Sequence, residues 1–407
     1  MARPTEVVID LAAARHNLSR VRALAPRSCV LAVIKANGYG HGLLAMARAF
    51  AAADAFGVAC LEEAHALREA GVRKPLLLLE GPFEAAELND IKALDLDIAV
   101  HTVEQVEMLE AAAKPFGGRI WLKIDTGMHR LGFAPESVLG VYSRLLRILP
   151  RPDQLILMTH FANAHDGQHD LNRLQLDRFE VLQRQLGPAV GRHQRSAANS
   201  GATSHLPAAH YEWLRPGIML YGVSPGRGRV GVEDGLRPVM TLRSRLISVR
   251  QLAEGETVGY GGAWRCPEPM PVGVVALGYG DGYPRAASGA PVLVKGARTQ
   301  VIGVPSMDMV TVDLRPAPEA AVGDEVVFWG AGLPVEEVAG HAGTIAYELL
   351  ASMRERARHV HIDASASEAD TRDAGAAAPN APEADGPNVS APGPKEPLSG
   401  LPDAHQP

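Results

Sequence analysis

The chain is poor in the features that mark several large classes of protein. Only three cysteines occur in 407 residues, Cys29, Cys60 and Cys266. They are odd in number and far apart, which excludes a disulfide framework and a CxxC metal site and leaves each as a small buried hydrophobe. No apolar run approaches the roughly 20 residues needed to cross a bilayer, and the opening MARPTEVVIDLAAARHNL lacks the pattern of a secretory signal. The cytoplasm is therefore the expected compartment. Charge of one sign is also missing as a block. The formal net charge of -6 is spread along the chain, and no basic stripe is interleaved with aromatics, which argues against nucleic acid and for a small-molecule ligand. At 46% hydrophobic residues the chain can bury a large core.

Between residues 29 and 222 eight short β-rich runs recur: CVLAVIKA, AFGVAC, PLLLLE, LDIAV, RIWLKID, LILMTHF, HQRSAANS and LRPGIML. They are continuously apolar rather than alternating, as parallel strands covered on both faces are. The segments between them, such as LLAMARAFAAA, LEEAHALREAG and TVEQVEMLEAAA, carry helical periodicity. The expected fold is α/β, with an N-terminal (β/α)8 barrel of TIM type over residues 1–230. Beyond that the texture changes to Gly- and Pro-punctuated strands, VMTLRSRLISVRQL, MPVGVVALGYG, PVLVKGARTQVIGV, MVTVDL and DEVVFWG, which predict a mostly-β domain over 231–362. TEVVIDL precedes a helix and would make a ninth barrel strand, so it is expected to pair with the β domain instead. Residues 363–407, rich in Ala and Pro and lacking aromatics, are expected to be a disordered tail.

VIKANGYGHG delivers Lys35 from an apolar run into a Gly-rich turn. In a barrel the C-terminal strand ends form the active face, where a partly desolvated lysine can attack an aldehyde. The same string, followed by GVACLEEAHALREAG, resembles the signature of the alanine racemases, a barrel-type family of pyridoxal-phosphate enzymes. LKIDTGMHRLGF, MTHFANA, AANSGA, RPGIMLYG, TVGYGG, VALGYGDGYPR, SMDM and GTIAYELL follow in family order, so the likeness runs from residue 5 to about 360.

The resemblance implies that Lys35 binds pyridoxal 5'-phosphate and acts as one of two bases, with Tyr260 as the other. Inverting a carbon requires a proton to leave one face and return on the opposite one, hence two groups. A tyrosine pKa of about 10 must be lowered for that work, and the candidate is a hydrogen-bond chain through His160 and Arg215. Arg215 would face the pyridine nitrogen and keep it unprotonated, which weakens the ring as an electron sink and disfavours transamination. Tyr39, Asn199, Ser200, Gly217, Ile218 and Tyr347 would cradle the phosphate, for which hydroxyls and backbone N–H groups suffice. Arg130 would contact the cofactor's phenolic oxygen and orient the substrate carboxylate, which the backbone of Met307, beside Asp308, would hold. Lys123 corresponds to a lysine carbamylated in many members, where it positions that arginine. Tyr279 and Arg285 would line the entry corridor.

The resemblance further implies a homodimer in which the partner's β domain completes each site, no metal, and interconversion of L- and D-alanine that supplies D-alanine for peptidoglycan. Two stretches depart from the family pattern. His129 stands where Gly is usual, and GVPSMDM stands where GRxCMDQ is usual, so a broader racemase acting on serine or larger amino acids stays open. A pyridoxal-phosphate carrier would lack the β domain, and a decarboxylase of the same barrel type would carry Glu in place of Arg215.

Overall fold

The structure, a computed structural model, describes residues 3–112, 116–187 and 193–363. Apart from Asp363, the expected C-terminal tail lies outside them. Eight parallel strands close into a barrel: β2 (Cys29–Val33), β3 (Ala55–Val58), β4 (Leu76–Leu78), β5 (Leu96–Val100), β6 (Ile120–Lys123), β7 (Leu155–Met158), β8 (Gln194–Ser196) and β9 (Trp213–Leu214), with β9 pairing back onto β2. The three helices legible as periodic stretches are present at Leu43–Ala49, Leu61–Glu69 and Val103–Ala111.

The eighth run differs from expectation. LRPGIML contributes only Leu214 to the barrel, as the second residue of β9, and Ile218–Tyr221 forms a 3-10 turn. Pro216 has no N–H for a ladder, so the strand stops before it and the chain turns across the barrel mouth.

Along each strand the side chains alternate between two cores. Leu31, Val33, Ala55, Leu77, Ala99, Trp121, Ile156, Met158 and Trp213 fill the barrel interior as one cluster, with the Trp121 and Trp213 rings 5.6 Å apart. Their neighbours Val30, Ala32, Leu76, Leu78, Ile98, Val100, Ile120, Leu122, Leu155 and Leu157 face the helical shell. The two-residue period of a strand makes this division.

The second layer is antiparallel apart from one edge. β1 (Glu6–Asp10), β10 (Met240–Leu252), β13 (Met270–Val275), β14 (Pro291–Val294), β15 (Ala297–Ile302), β16 (Val310–Asp313), β17 (Glu325–Trp329) and β18 (Arg358–Ile362) form one sheet in the order β13-β16-β15-β14-β17-β10-β1-β18. β10 also pairs with β13, so its first six members close on themselves. A short hairpin joins β11 (Thr257–Val258) to β12 (Trp264–Arg265). β1 runs antiparallel to β10 and parallel to β18 in this sheet, then feeds α1 (Leu11–Leu24), whose first turn is capped by Asp10 accepting from Ala13 N at 2.9 Å. Asn17 of α1 donates to the carbonyls of Leu220 and Arg237 and accepts from Arg237 N at 2.8 Å, which fastens the helix to the segment entering β10. Among the described residues no helix is long and apolar enough to cross a membrane.

Candidate active site at the barrel mouth

The inward-facing positions of the barrel strands continue beyond the apolar interior as Lys35 after Leu31 and Val33, Lys123 after Trp121, His160 after Ile156 and Met158, and Arg215 after Trp213. The two-residue period therefore converges four basic groups on one end of the barrel, the C-terminal end of its strands. They line a cavity of about 700 Å³ together with Tyr39, Leu79, Glu80, Arg130, Asn199, Ser200, Gly217, Ile218 and Tyr347.

Lys35 is aimed by an unusual turn. Ala36, Asn37, Gly38, Tyr39 and Gly40 all take positive φ, between 52° and 79°. For the three non-glycine residues this left-handed conformation costs about 1–2 kcal/mol each, so the surroundings must enforce it. Asn37 accepts from Leu43 N at 2.8 Å and donates its own N–H to Glu63 Oε1 at 3.2 Å, and the Tyr39 ring stacks on Tyr221 at 4.6 Å. Tyr221 in turn donates to the Val33 carbonyl at 2.9 Å, the end of β2.

Arg215 is fully enclosed. Its guanidinium donates to the Thr159 carbonyl at 2.6 Å and to the Ser196 hydroxyl, and it lies 3.4 Å from Nδ1 of His160. Burial pulls its pKa down to about 10, which leaves it charged at neutral pH. Burial, then the charges of Arg215, Arg130, Lys123 and Lys35, push the His160 imidazole well below its usual range. Burial lowers Lys123 to about 8, helped by repulsion from Arg215, Arg130 and Lys35 against the opposing pull of Glu80. Among the described residues none of Lys35, Lys123, Arg130 and Arg215 forms an ion pair. Such a cavity, four cations facing one carboxylate, suits an anionic occupant.

The wall beside the Lys35 turn suits a phosphate. Ser200 Oγ accepts from Gly217 N at 2.9 Å, and a Cβ at Gly217 would stand 2.4 Å from the Tyr39 hydroxyl. Only glycine lets that hydroxyl approach the backbone. Tyr347 adds a second hydroxyl, and burial pushes its pKa up to about 12, so it stays protonated as a donor. Asn199 lines the cavity but its amide is already engaged, accepting from Ala202 N at 3.0 Å and donating to the Phe161 carbonyl at 3.1 Å. Its Nδ2 also stands 3.2 Å from Nε2 of His160.

Tyr260, Tyr279, Arg285, Met307 and Asp308 do not line this cavity. Tyr260 is 72% exposed and Met307 53%. Among the described residues the side chains within reach of the His160 ring nitrogens are those of Arg215 and Asn199. His129 is also exposed, at φ 56°, with Nδ1 3.1 Å from Asp125, which accepts the N–H groups of Gly127, Met128 and His129 and so holds the turn before Arg130. Sequence reading missed Glu80, the one carboxylate lining the cavity among the described residues, and the Glu63 brace. Glu80 directly follows the inward-facing Leu79 at the end of PLLLLE, a strand-end position that could have found it.

A closed eight-stranded barrel with a buried basic cluster at its C-terminal mouth, joined to a largely antiparallel sheet, defines a two-domain barrel enzyme whose pocket suits an anionic ligand. Residues 9–225 match the family described as alanine racemase, N-terminal domain, and residues 239–361 match alanine racemase, C-terminal domain. The chain belongs to the alanine racemase family. It is 50% identical to the alanine racemase of Nitrosococcus oceani over 86% of this chain and 97% of that one. To the biosynthetic alanine racemase of Escherichia coli it is 47% identical, over 88% and 99%. The crystal structure of the biosynthetic alanine racemase from Pseudomonas aeruginosa superposes with a TM-score of 0.83 at 45% identity, covering 88% of this chain and 99% of that one.

Proposed function

We propose that this chain racemises alanine with pyridoxal 5'-phosphate held at the barrel mouth, as a homodimer in which each cavity is completed by the β domain of the partner, in a cytoplasmic supply of D-alanine for peptidoglycan. For this purpose the chain divides into a barrel domain over 1–230 and a β domain over 231–362. The observation that carries the reading is the cavity with four cations that form no ion pair among the described residues, beside the wall formed by Tyr39, Ser200 and Gly217.

Tyr39, Ser200, Gly217, Ile218 and Tyr347 would hold the phosphate, and Arg215 and Arg130 the pyridine nitrogen and the phenolic oxygen. When bound, the cofactor draws electron density from Cα of the amino acid attached to it and so acidifies its proton. Lys35 takes or returns that proton at Nζ on one face. Tyr260 of the partner subunit does so at Oη on the other. Proton loss on one face with delivery on the other inverts the carbon, and exchange with solvent resets the two groups. Arg215 stays a cation, with its pKa at about 10, so it would donate a hydrogen bond to the ring nitrogen without passing a proton to it. The 72% exposure of Tyr260 in a single chain, with Met307, Met309 and Tyr279 also exposed, supports a site shared across an interface.

The test is racemisation of L-alanine, with L-serine and L-lysine in parallel, by the protein loaded with pyridoxal 5'-phosphate and by Lys35→Ala. Racemisation of alanine and a visible absorption band, both lost in Lys35→Ala, are expected. Preference for serine or lysine would change the substrate and keep the mechanism, and absence of the band would overturn it.

A further inference from the structure

The departure GVPSMDM removes the Arg and Cys of the usual loop, yet the loop is held firmly by other means. Ser306 N and Oγ both donate to the Met309 carbonyl, at 2.9 and 2.8 Å, and Ser306 Oγ accepts from Met309 N at 3.1 Å, which closes the turn. The carbonyls of Ser306 and Met307 accept from Tyr279 N at 3.0 Å and Gly280 N at 2.8 Å. Gly278 backs onto the loop so closely that a Cβ there would stand 2.3 Å from the Ser306 oxygen. The Asp308 carbonyl accepts from Arg3 at 2.6 Å, and the Asp308 carboxylate pairs with Arg356. Every carbonyl from Ser306 to Met309 thereby accepts a hydrogen bond within the chain. Among the described residues the N–H groups of Met307 and Asp308 donate to nothing within the chain. Successive free N–H groups on a fixed turn form a concavity for an anion.

Both arginines converge on one carboxylate. Asp281 is fully buried, with Oδ2 2.8 Å from Arg3 and 2.9 Å from Gly278 N, and Oδ1 3.2 Å from Arg356. Its carbonyl accepts from Arg354 N. Three distant segments, the N-terminus, the turn after β13 and the stretch before β18, are thus tied to the loop through one buried ion.

We propose that Arg356, fixed by buried Asp281, is a positioning residue for recognition of the substrate carboxylate, acting through Asp308 to keep the Met307 and Asp308 N–H groups turned outward. The inference rests on the function proposed above and on the role that the family resemblance implies for the Met307 backbone, holding the substrate carboxylate. It also gives the loop a means of support that does not need the missing Arg and Cys.

Arg356→Gln and Asp308→Ala act at a half-exposed pair and leave Asp281 paired to Arg3, so the fold is expected to survive. A carboxylate contact that serves the ground and transition states alike would, when loosened, raise KM and leave kcat alone. In the pyridoxal-phosphate-loaded enzyme both substitutions should raise KM for L-alanine roughly tenfold. The inhibition constant of propionate, a carboxylate without an amine, should rise in parallel. Arg356→Lys should recover part of the loss, and the visible absorption band and melting temperature should stay near the parent's. An unchanged KM and propionate constant in folded, active variants overturns the inference alone. A fall in kcat with KM unchanged overturns it too. Failure of the unsubstituted protein to racemise alanine overturns the proposed function and this inference with it.

Discussion

His160 is wedged between two donors: Nδ1 lies 3.4 Å from the guanidinium of Arg215, and Nε2 lies 3.2 Å from the amide nitrogen of Asn199. The Asn199 amide cannot turn its oxygen to the ring, because that oxygen caps Ala202 N. A protonated imidazole would therefore present two N–H groups to two donors, and the ring is held neutral.

Acid sensitivity follows from that neutrality. The folded pKa of His160 is lowered well below 6.5, and that of the enclosed His41 is lowered to about 4, by burial in both cases. Below pH 6.5 the unfolded chain binds protons that the folded chain refuses, so stability should fall as pH drops from 6.5 toward 4. Denaturant titrations of the parent and of His41→Gln across that range check this. The substituted protein should show the shallower decline, and equal slopes would contradict it.

The Lys123 ammonium behaves in the opposite range. With its pKa lowered from 10.5 to about 8, the folded chain gives up a proton that the unfolded chain keeps between pH 8 and 10.5, so this group makes stability rise with pH over that window. The same shift leaves a useful fraction of neutral amine near pH 8, and a neutral amine attacks carbon dioxide. The resulting carbamate would place an anion among Arg130, Arg215 and Lys35. In 13C-bicarbonate a carbamate carbon resonance is expected and should vanish in Lys123→Met. Its absence from the parent would leave Lys123 as a plain amine.

Gly217 is a position where one methyl group should matter. A Cβ there would meet the Tyr39 hydroxyl at 2.4 Å and the ring carbon bearing it at 3.1 Å. Gly217→Ala should lower affinity for pyridoxal 5'-phosphate by roughly tenfold or more, a loss of about 1.4 kcal/mol upward. Tyr39→Phe removes the nearer clash, so the double variant should bind better than the two separate losses would give. Simple additivity, read by cofactor titration, would mean that the two residues do not meet as the geometry indicates.

Removing Ser196 should cost stability rather than affinity. Its hydroxyl accepts from the enclosed Arg215 and donates to the Trp213 carbonyl at 2.8 Å. Ser196→Ala leaves a buried charge short of an acceptor, an expected loss of about 1–3 kcal/mol in denaturant unfolding. A change under about 0.5 kcal/mol, the usual size for surface substitutions, would mean that water replaces the hydroxyl.

The sequence showed most of this architecture because its signals are local. Continuous apolar runs marked β2 to β7, and the change to punctuated strands marked β10, β13 and β17. β18 was missed: HVHI has little apolar pattern, and it is a strand because β1 offers it an edge at a distance of more than 350 residues. LRPGIML was over-read as a strand because its apolar residues outweighed Pro216. For the site, the inward period brought Lys35, Lys123, His160 and Arg215 together in a way strand reading could anticipate. The left-handed turn at Ala36–Gly40 and the Asp281 hub could not be read, since they depend on partners such as Glu63, Arg3 and Arg356 that no spacing announces.

Whether two chains share each cavity can be tested by mixing two inactive proteins. Lys35 lines the cavity and Tyr260 stands exposed outside it. Each substitution alone should remove most activity, Tyr260→Phe by about 10²–10⁴-fold as for a lost general acid or base. If the partner supplies Tyr260, a mixed dimer of Lys35→Ala with Tyr260→Phe holds one cavity lacking both groups and one with both. Random reassortment makes half the dimers mixed, each with one intact site of two, so about a quarter of parental activity should return. If Lys35 and Tyr260 of one chain served the same cavity, no mixture could rebuild a site, and activity would stay at the sum of the two inactive proteins.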